Sequence, residues 1–166
     1  MDSQTLLREQ LVSGKHIIDK AVEDLSDEDF TVRLPGDGVF ATWIFGHLAV
    51  SEDWVLSLLT GAEVRLPNER INQFEGDRSF QQEFDPATLP SRTEALTLFE
   101  TQHQRVLQSL EAEDVSQWQK PTPDQIPDVF PTLGALWGVM GTHPYWHLGQ
   151  LIAIRHMLGK PYLNLY

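Results

Sequence analysis

The stretch THPYWHLGQL, residues 142–151, carries two histidines four positions apart with a proline between them. Apolar residues recur at steps of three or four on both sides of this stretch, which is the spacing of one face of an α-helix. The pattern predicts a helix over 132–158. A proline in a helix interior costs about 3 kcal/mol, so we expect a kink close to His143, where Pro144 removes a backbone donor.

Three other segments show the same helical spacing of apolar residues. Thr42 is a possible N-cap for the second helix, and Gly61 fits its end. Ser91 and Glu94 have the spacing of a capping box, and Thr132 fits the start of the last helix. The sequence therefore predicts four helices, over residues 5–25, 42–60, 91–112 and 132–158.

Two long connections separate these helices. The first, over 61–90, is polar, and a connection of this length is unusual in a compact domain unless it has local structure or a function. The second is punctuated by four prolines, Pro121, Pro123, Pro127 and Pro131. Because the chain shows neither a convincing strand pattern nor a repeat, we expect an all-α four-helix bundle with long crossover connections. Residues 1–166 are expected to form this one domain.

Composition narrows the possible partners. The chain has 24 acidic and 12 basic residues, and its formal net charge of -12 opposes binding to phosphate-rich surfaces. We therefore expect neither nucleic acid nor a membrane as a partner. With no secretory leader and no apolar run of spanning length, the prediction is a cytoplasmic protein. The absence of cysteine excludes thiolate ligands and a cysteine nucleophile.

The two histidines of the opening stretch can point at one metal ion. His143 and His147 share a helix face, at positions that neighbouring turns fill with leucine, isoleucine or methionine. His47, inward on the second helix, is a natural third ligand, because bundle cores build metal sites from facing helices. Neutral imidazole binds zinc, nickel, copper and iron. Such binding should weaken below about pH 6.5, where free imidazole protonates.

A metal-free interpretation of these residues is open at this point. Two histidines four residues apart recur by chance, and buried imidazoles can be satisfied by ordinary hydrogen bonds. His103, inward on the third helix, is more typical of a core histidine than of a ligand, and His16 and His156 are typical of partly exposed positions. No H-E-x-x-H motif is present, since Pro144 stands where its glutamate would be.

Three short motifs occur in a fixed order along the chain. They are GHLA at 46–49, LGQL at 148–151 directly after the second histidine, and RHMLGKP at 155–161. Together with the three-histidine layout, they resemble the DinB/YfiT-like superfamily of four-helix-bundle metalloproteins. The order and spacing extend over nearly the whole chain.

The resemblance implies a divalent metal, often zinc or nickel, held by His47, His143 and His147 with further positions open to water or substrate. Some relatives use such a site to activate a low-molecular-weight thiol in S-transfer or isomerisation. By resemblance, the chain is a metal-dependent enzyme acting on a small molecule, with thiol-dependent S-transfer as the leading activity. The thiol must be a co-substrate, because the chain has no cysteine.

Several further expectations accompany this one. Gln150 and Ser51, about one turn from the histidines, are candidates for contacts around the metal or to substrate. No side chain is singled out for catalysis itself. The resemblance favours a homodimer, and so do the apolar tail residues Leu163 and Leu165, which we expect to be exposed. The alternative function is a non-catalytic bundle, metal-binding or metal-free, with an interaction role; three protein ligands favour an open site, since structural zinc normally has four.

Overall fold

A computed structural model describes residues 1–36, 38–76, 88–123 and 130–164. The helices in these ranges are α1 Ser3–Val22, α2 Ala41–Thr60, α3 Asn68–Phe74, α4 Arg92–Glu111 and α5 Leu133–Met157. Across the described ranges, strand-like pairing is limited to one bridge between Pro121 and Thr132. The all-α prediction is therefore confirmed. The four long helices match the predicted ones closely, and the largest difference is the end of α1 at Val22.

Local sequence explains where most of the long helices begin and end. The Ser91 hydroxyl accepts from the backbone N–H of Glu94, whose carboxylate accepts from the Ser91 N–H, so the capping box is confirmed. The Thr132 side chain accepts from the N–H of Ala135 at 3.2 Å. α2 ends at Gly61, whose φ of 70° is the left-handed conformation that glycine adopts readily.

The start of α2 differs from the prediction. Phe40 occupies the N-cap position without a side-chain hydrogen bond, and Ala41 is the first helical residue. Thr42 is buried in the first turn, where its hydroxyl donates to the carbonyl of Phe30 at 3.2 Å. The prediction of Thr42 as N-cap was wrong because a contact distant in sequence uses this hydroxyl.

The first connection contains a helix that the periodic pattern did not predict. α3 has only 7 residues, too few for helical spacing to be recognised. Its last residue, Phe74, is fully buried in the core. The stretch before α3 is fixed to α2, because the carboxylate of Asp53 accepts from the N–H groups of Arg65 and Leu66, both at 2.7 Å. The described part of this connection is therefore anchored on α2.

The four long helices bury two apolar clusters between them. α1 packs mainly against α5, while α2 packs against α4 and α5. The first core cluster includes Ile18, Phe30, Phe45, Phe99, Leu151 and Ile154. The second core cluster includes Leu7, Leu11, Val55, Val106, Leu136 and Trp137. Each long helix contributes to both clusters.

A layer of buried polar side chains separates the two core clusters. On α4, Phe99 belongs to the first cluster and Val106 to the second, and His103 lies between them. Glu52 has the corresponding position on α2, and His147 has it on α5. We call Glu52, His103 and His147 the polar layer. Because burial of polar groups is unfavourable without partners, this layer is where a site is expected.

α5 is helical throughout Leu133–Met157 although it contains Pro144. The proline is buried and packs on α1 at Gly14, where an added Cβ would lie 3.3 Å from Cβ of Pro144 and 3.2 Å from Cε2 of Tyr145. Because Gly14 has no side chain, α1 can approach α5 closely beside the histidines. The kink expected near His143 stays a prediction.

The C-terminal tail folds back onto the bundle. The Arg155 guanidinium contacts the Asp24 carboxylate and donates to the carbonyl of Pro161 at 3.1 Å. Leu163 is partly buried against the first core cluster, so the prediction that it is exposed was wrong. Leu165, like Pro127 in the second connection, lies outside the described residues. Where the structure describes the chain, no helix has the length and apolar character needed to cross a bilayer.

Candidate metal centre

Three imidazoles meet between α2 and α5. One ring nitrogen from each of His47, His143 and His147 lies within 4.8 Å of the others. The ring centroid of His47 is 5.1 Å from that of each of the other two, and those two centroids are 4.8 Å apart. The structure thus brings together the three histidines that the sequence singled out, although they come from helices far apart in the chain.

The orientation of His47 is set by the backbone of α3. Nδ1 of His47 lies 3.0 Å from the carbonyl oxygen of Phe74. Because a carbonyl can only accept, the neutral ring carries its hydrogen on Nδ1 and has a lone pair on Nε2. The Ser51 hydroxyl oxygen is 3.5 Å from that Nε2. Ser51 therefore lies beside the nitrogen that faces the other two rings.

His147 is held in the same way by a side chain one turn further along α5. Its Nδ1 lies 2.6 Å from Oε1 of Gln150. Its Nε2 faces Nε2 of His143 at 3.0 Å. Metal-ligating histidines commonly donate their second ring N–H to a carbonyl or carboxylate oxygen, which fixes the tautomer and the ring plane. Both His47 and His147 have this arrangement.

The contact between His143 and His147 tests whether a cation fits. Two neutral rings with lone pairs on both facing nitrogens would repel each other at 3.0 Å. Without a cation, one nitrogen must carry a hydrogen, and the Gln150 contact assigns it to His143 because it places the His147 hydrogen on Nδ1. A cation between the rings would use both lone pairs. The donor set therefore fits one divalent transition metal.

Burial keeps these imidazoles neutral. Loss of hydration, helped by the neighbouring His147 and His47, lowers the pKa of His143 to about 3. Burial and His47 lower the pKa of His147 to about 4, although the hydrogen bond with Gln150 opposes the shift. Burial also lowers the pKa of His47, against the hydrogen bond to Phe74. Because metals bind neutral imidazole, protons compete little for the site at neutral pH.

Comparison with known families agrees with this geometry. The sequence profile of the DinB superfamily matches residues 10–151, a span that includes all three histidines. The chain belongs to the DinB superfamily. Among curated proteins, none matches the chain.

A solved structure has a similar fold to this DinB protein. YfiT from Bacillus subtilis, described as a probable metal-dependent hydrolase with an unusual four-helix bundle topology, superposes with a TM-score of 0.66. The match covers 97% of this chain and 91% of YfiT, at 19% sequence identity. At this identity the similarity establishes the four-helix bundle fold and leaves the activity to be argued from the site.

Tryptophans surround the histidines of the DinB bundle. Trp43 is buried and stacks on the His47 ring, with centroids 4.6 Å apart and planes 9° from parallel. The same indole meets His147 edge-on, at 6.2 Å between centroids. Trp146 contacts His143 from the outer side and is 60% exposed. One wall of the site is therefore buried, and the other carries an aromatic ring in contact with solvent.

A cavity of about 200 Å³ opens beside two of the three histidines, His47 and His143. Its walls are mainly apolar, and they also include His47, Ser51, His143 and Glu52. The remaining wall residues are Leu48, Trp54, Val55, Phe130, Val139, Met140, Pro144 and Trp146. A molecule in this cavity would have access to the imidazoles and to Glu52 of the polar layer.

Other predicted positions lie away from the centre. His103 is fully buried and contacts Glu52 rather than the three rings, which agrees with its assignment as a core histidine. His16 and His156 are exposed. Two residues of the site, Phe74 and Glu52, were not predicted from the sequence. Glu52 had a usable signal, since it is an acidic residue within an otherwise largely apolar helix.

Proposed function

We propose that this DinB protein is a metal-dependent enzyme whose ion, zinc or nickel, is held by His47, His143 and His147. The proposal rests on three ring nitrogens that converge beside an accessible apolar cavity. Hydrogen bonds at the opposite ring nitrogen, Nδ1, orient two of these imidazoles, those of His47 and His147. Three ligands leave coordination positions for a substrate, whereas a structural zinc site is normally closed by four. This favours catalysis over the non-catalytic alternative.

A bound divalent ion would lower the pKa of a thiol or water beside it, so that a nucleophile is available near neutral pH. The chain's own residues position and shield that nucleophile. Phe74 and Gln150 fix the ring planes of His47 and His147. Trp43 closes the buried side of the site, which keeps bulk water away from it. Ser51, 3.5 Å from Nε2 of His47, can hydrogen-bond to the reacting molecule.

We propose thiol-dependent S-transfer as the activity, with a low-molecular-weight thiol as co-substrate and a small molecule as acceptor. The apolar cavity suits an apolar acceptor, and the chain itself has no cysteine to supply the sulfur. Hydrolysis is a second candidate, supported by the fold similarity to YfiT, which is described as a probable metal-dependent hydrolase. In both reactions the same three histidines hold the ion.

We further propose that residues 1–166 form one domain that acts in the cytoplasm as a homodimer. The dimer proposal now rests on exposed apolar side chains of α5, since Leu163 is partly buried. Ile152 and Met157 are 44% and 40% exposed. A sedimentation mass of one chain at micromolar concentration would count against the dimer.

The activity is tested on protein stripped with a chelator and reloaded with zinc or nickel. One assay supplies glutathione or cysteine with monochlorobimane as electrophile, and a second supplies p-nitrophenyl acetate without thiol. Metal-dependent thiol conjugation supports S-transfer, and metal-dependent ester cleavage alone supports hydrolysis. His147→Ala should abolish either activity, while His16→Ala, a change at an exposed histidine, should preserve it. Equal turnover by wild type and His147→Ala would refute the proposal.

A further inference from the structure

The polar layer contains a second pair of titratable residues beside the histidine centre. Oε1 of Glu52 lies 2.8 Å from Nδ1 of His103, and the two side chains are 4% and 0% exposed. Burial raises the pKa of the Glu52 carboxyl, and the contact with His103 opposes the rise. Burying two such groups costs hydration free energy, which is recovered only when their hydrogen bonds are well aligned and complete. Apolar residues of similar volume would often be at least as stable at these positions. The pair therefore calls for an explanation beyond packing.

One oxygen of Glu52 is unused. Oε2 is buried and has no hydrogen-bond partner among the described residues. An unpaired buried acceptor costs on the order of 1 to 3 kcal/mol. Glu52 also lines the cavity that adjoins His47 and His143. Because Oε2 itself has almost no accessible surface, a molecule bound in this cavity would supply the missing donor once the carboxylate turns toward it.

The charge around the cavity favours a donor that is neutral or positive. Its wall contains no lysine or arginine among the residues that the structure describes. Lys15 acts on Glu52 only from a distance, since its ammonium is held 2.5 Å from both Asp19 and Glu100. No cation of the wall therefore competes with a ligand for the Glu52 carboxylate.

We propose that Glu52 is a substrate-binding residue, which accepts a hydrogen bond from a small, mainly apolar substrate that carries a donor group, preferably a protonated amine. His103 is a positioning residue that holds Oε1 and so directs Oε2. The inference rests on the proposed function, because it takes this cavity as the substrate site. Glu52 follows His47 by five positions, about 7.5 Å along the helix axis. The donor group and the group reacting at the histidines are therefore separate parts of the substrate.

The size of the cavity limits the substrate further. A volume of about 200 Å³ is that of roughly seven water molecules. The substrate part enclosed by the protein is therefore one ring or a short chain with its donor group. Larger parts would have to extend past Trp146, which is exposed.

The test measures binding of four matched ligands to the metal-free full-length protein by calorimetry. The ligands are phenethylamine, phenethyl alcohol, propylbenzene and phenylpropionate, which share a phenyl ring and a short chain. We expect the amine to bind about tenfold or more tighter than propylbenzene, the alcohol to lie between them, and phenylpropionate to bind weakest. Equal affinity for all four ligands, or tightest binding of phenylpropionate, would overturn the proposal.

Variants identify the residue responsible. Glu52→Gln keeps the shape and an acceptor but removes the charge, so the advantage of the amine over the alcohol should disappear. The matched control is Glu75→Gln, a change at an acid beside the neighbouring cavity on the other side of His47. His103→Leu should weaken amine binding, and His103→Gln, which restores a donor to Oε1, should recover it. An amine preference that survives in Glu52→Gln, or is lost in Glu75→Gln, would contradict the assignment.

Should Glu52→Gln fail to fold, Glu52→Met combined with His103→Leu replaces the pair by apolar groups of similar size, which proteins often tolerate. In that variant the amine should bind no tighter than propylbenzene, and a retained preference would again refute the role of Glu52. Metal content measured on the same variants should equal that of wild type. A failure of this inference is thereby distinguished from a failure of the histidine centre, because binding is measured without metal.

Discussion

The backbone carbonyl of Phe74 lies 3.0 Å from Nδ1 of His47 and accepts its hydrogen. Phe74 is the last residue of α3, the short helix in the first connection. Its ring packs on Gly46, where an added Cβ would lie 2.5 Å from two carbon atoms of the ring. The connection between α2 and α4 thus has a structural role at the candidate metal centre, which is to orient one of the three imidazoles.

Gly46→Ala is expected to disturb the metal centre without touching a ligand. The new methyl group cannot fit against the Phe74 ring, so Phe74 must move and its carbonyl must leave His47. We expect about 1 to 3 kcal/mol of destabilisation and a loss of about tenfold or more in metal affinity. Chemical unfolding and a competitive chelator titration measure the two effects.

The control for Gly46→Ala is Gly138→Ala. Gly138 lies in α5, and no neighbouring side chain or other element among the described residues comes within 4 Å of an added Cβ. Alanine there should increase the free energy of unfolding by up to about 1 kcal/mol, because it favours the helix more than glycine does. Metal affinity should stay at the wild-type value. Unchanged affinity in Gly46→Ala as well would show that the Phe74 carbonyl does not matter to the site.

Histidine replacements should divide into two groups by metal content. Alanine at His47, His143 or His147 should remove most of the bound metal, because each change deletes one of the three proposed ligands. His16→Ala and His103→Ala should retain it, although the second will destabilise the fold by leaving Glu52 without its partner. Metal is measured by elemental analysis of the purified proteins. Stoichiometric metal in His147→Ala would refute the ligand assignment.

The metal-free protein should lose stability as the pH falls below about 6.5. The folded chain holds His143 and His147 at pKa values of about 3 and about 4, whereas unfolded histidine titrates near 6.5. Between these limits the unfolded chain binds more protons than the folded one, so acid favours unfolding. Each histidine contributes about 1.4 kcal/mol per pH unit. Urea unfolding at about pH 7 and about pH 5 measures this slope.

The matched variant for the pH slope replaces both histidines by glutamine. Glu52 contributes with the opposite sign, since burial raises the pKa of its carboxyl and the folded state then holds the extra proton. Subtracting the slope of the double variant from that of wild type removes the contribution of Glu52, which both proteins share. A double variant with the wild-type slope would mean that neither histidine is kept neutral by burial.

Pro144→Ala should strengthen the helix and weaken the metal site. Alanine restores a backbone donor in α5 and keeps Cβ, which of the proline atoms packs closest to Gly14. We expect a gain of up to about 2 kcal/mol, less than the full proline penalty because the buried ring carbons are lost. If Pro144 orients the His143 ring toward the metal, its replacement by alanine should lower the metal affinity. A stability gain with unchanged affinity would make Pro144 incidental to the site, and a stability loss would show that the core has packed around it.

Local sequence was sufficient for the four long helices and for the inward positions of His143 and His147. The capping box at Ser91 and the glycine end at Gly61 depend on residues within one turn, so they can be recognised without tertiary information. The inward positions of His143 and His147 follow from helical spacing, which is likewise local. His47 was added because it points inward on the second helix, and the resemblance to the DinB superfamily, confirmed by the match to residues 10–151, implies the same three residues.

Tertiary structure decided how those residues can act. Helical spacing placed His103 inward but could not show that its partner is Glu52, on a helix 51 residues away in sequence. It assigned Thr42 to capping, although the hydroxyl is used by Phe30. The pKa of free imidazole led us to expect that protons compete with the metal below about pH 6.5. In the folded chain, burial lowers the pKa of His143 and His147 well below that value. Spacing along one chain segment determines which face a side chain occupies; its hydrogen-bond partner and its hydration depend on residues brought close only by folding.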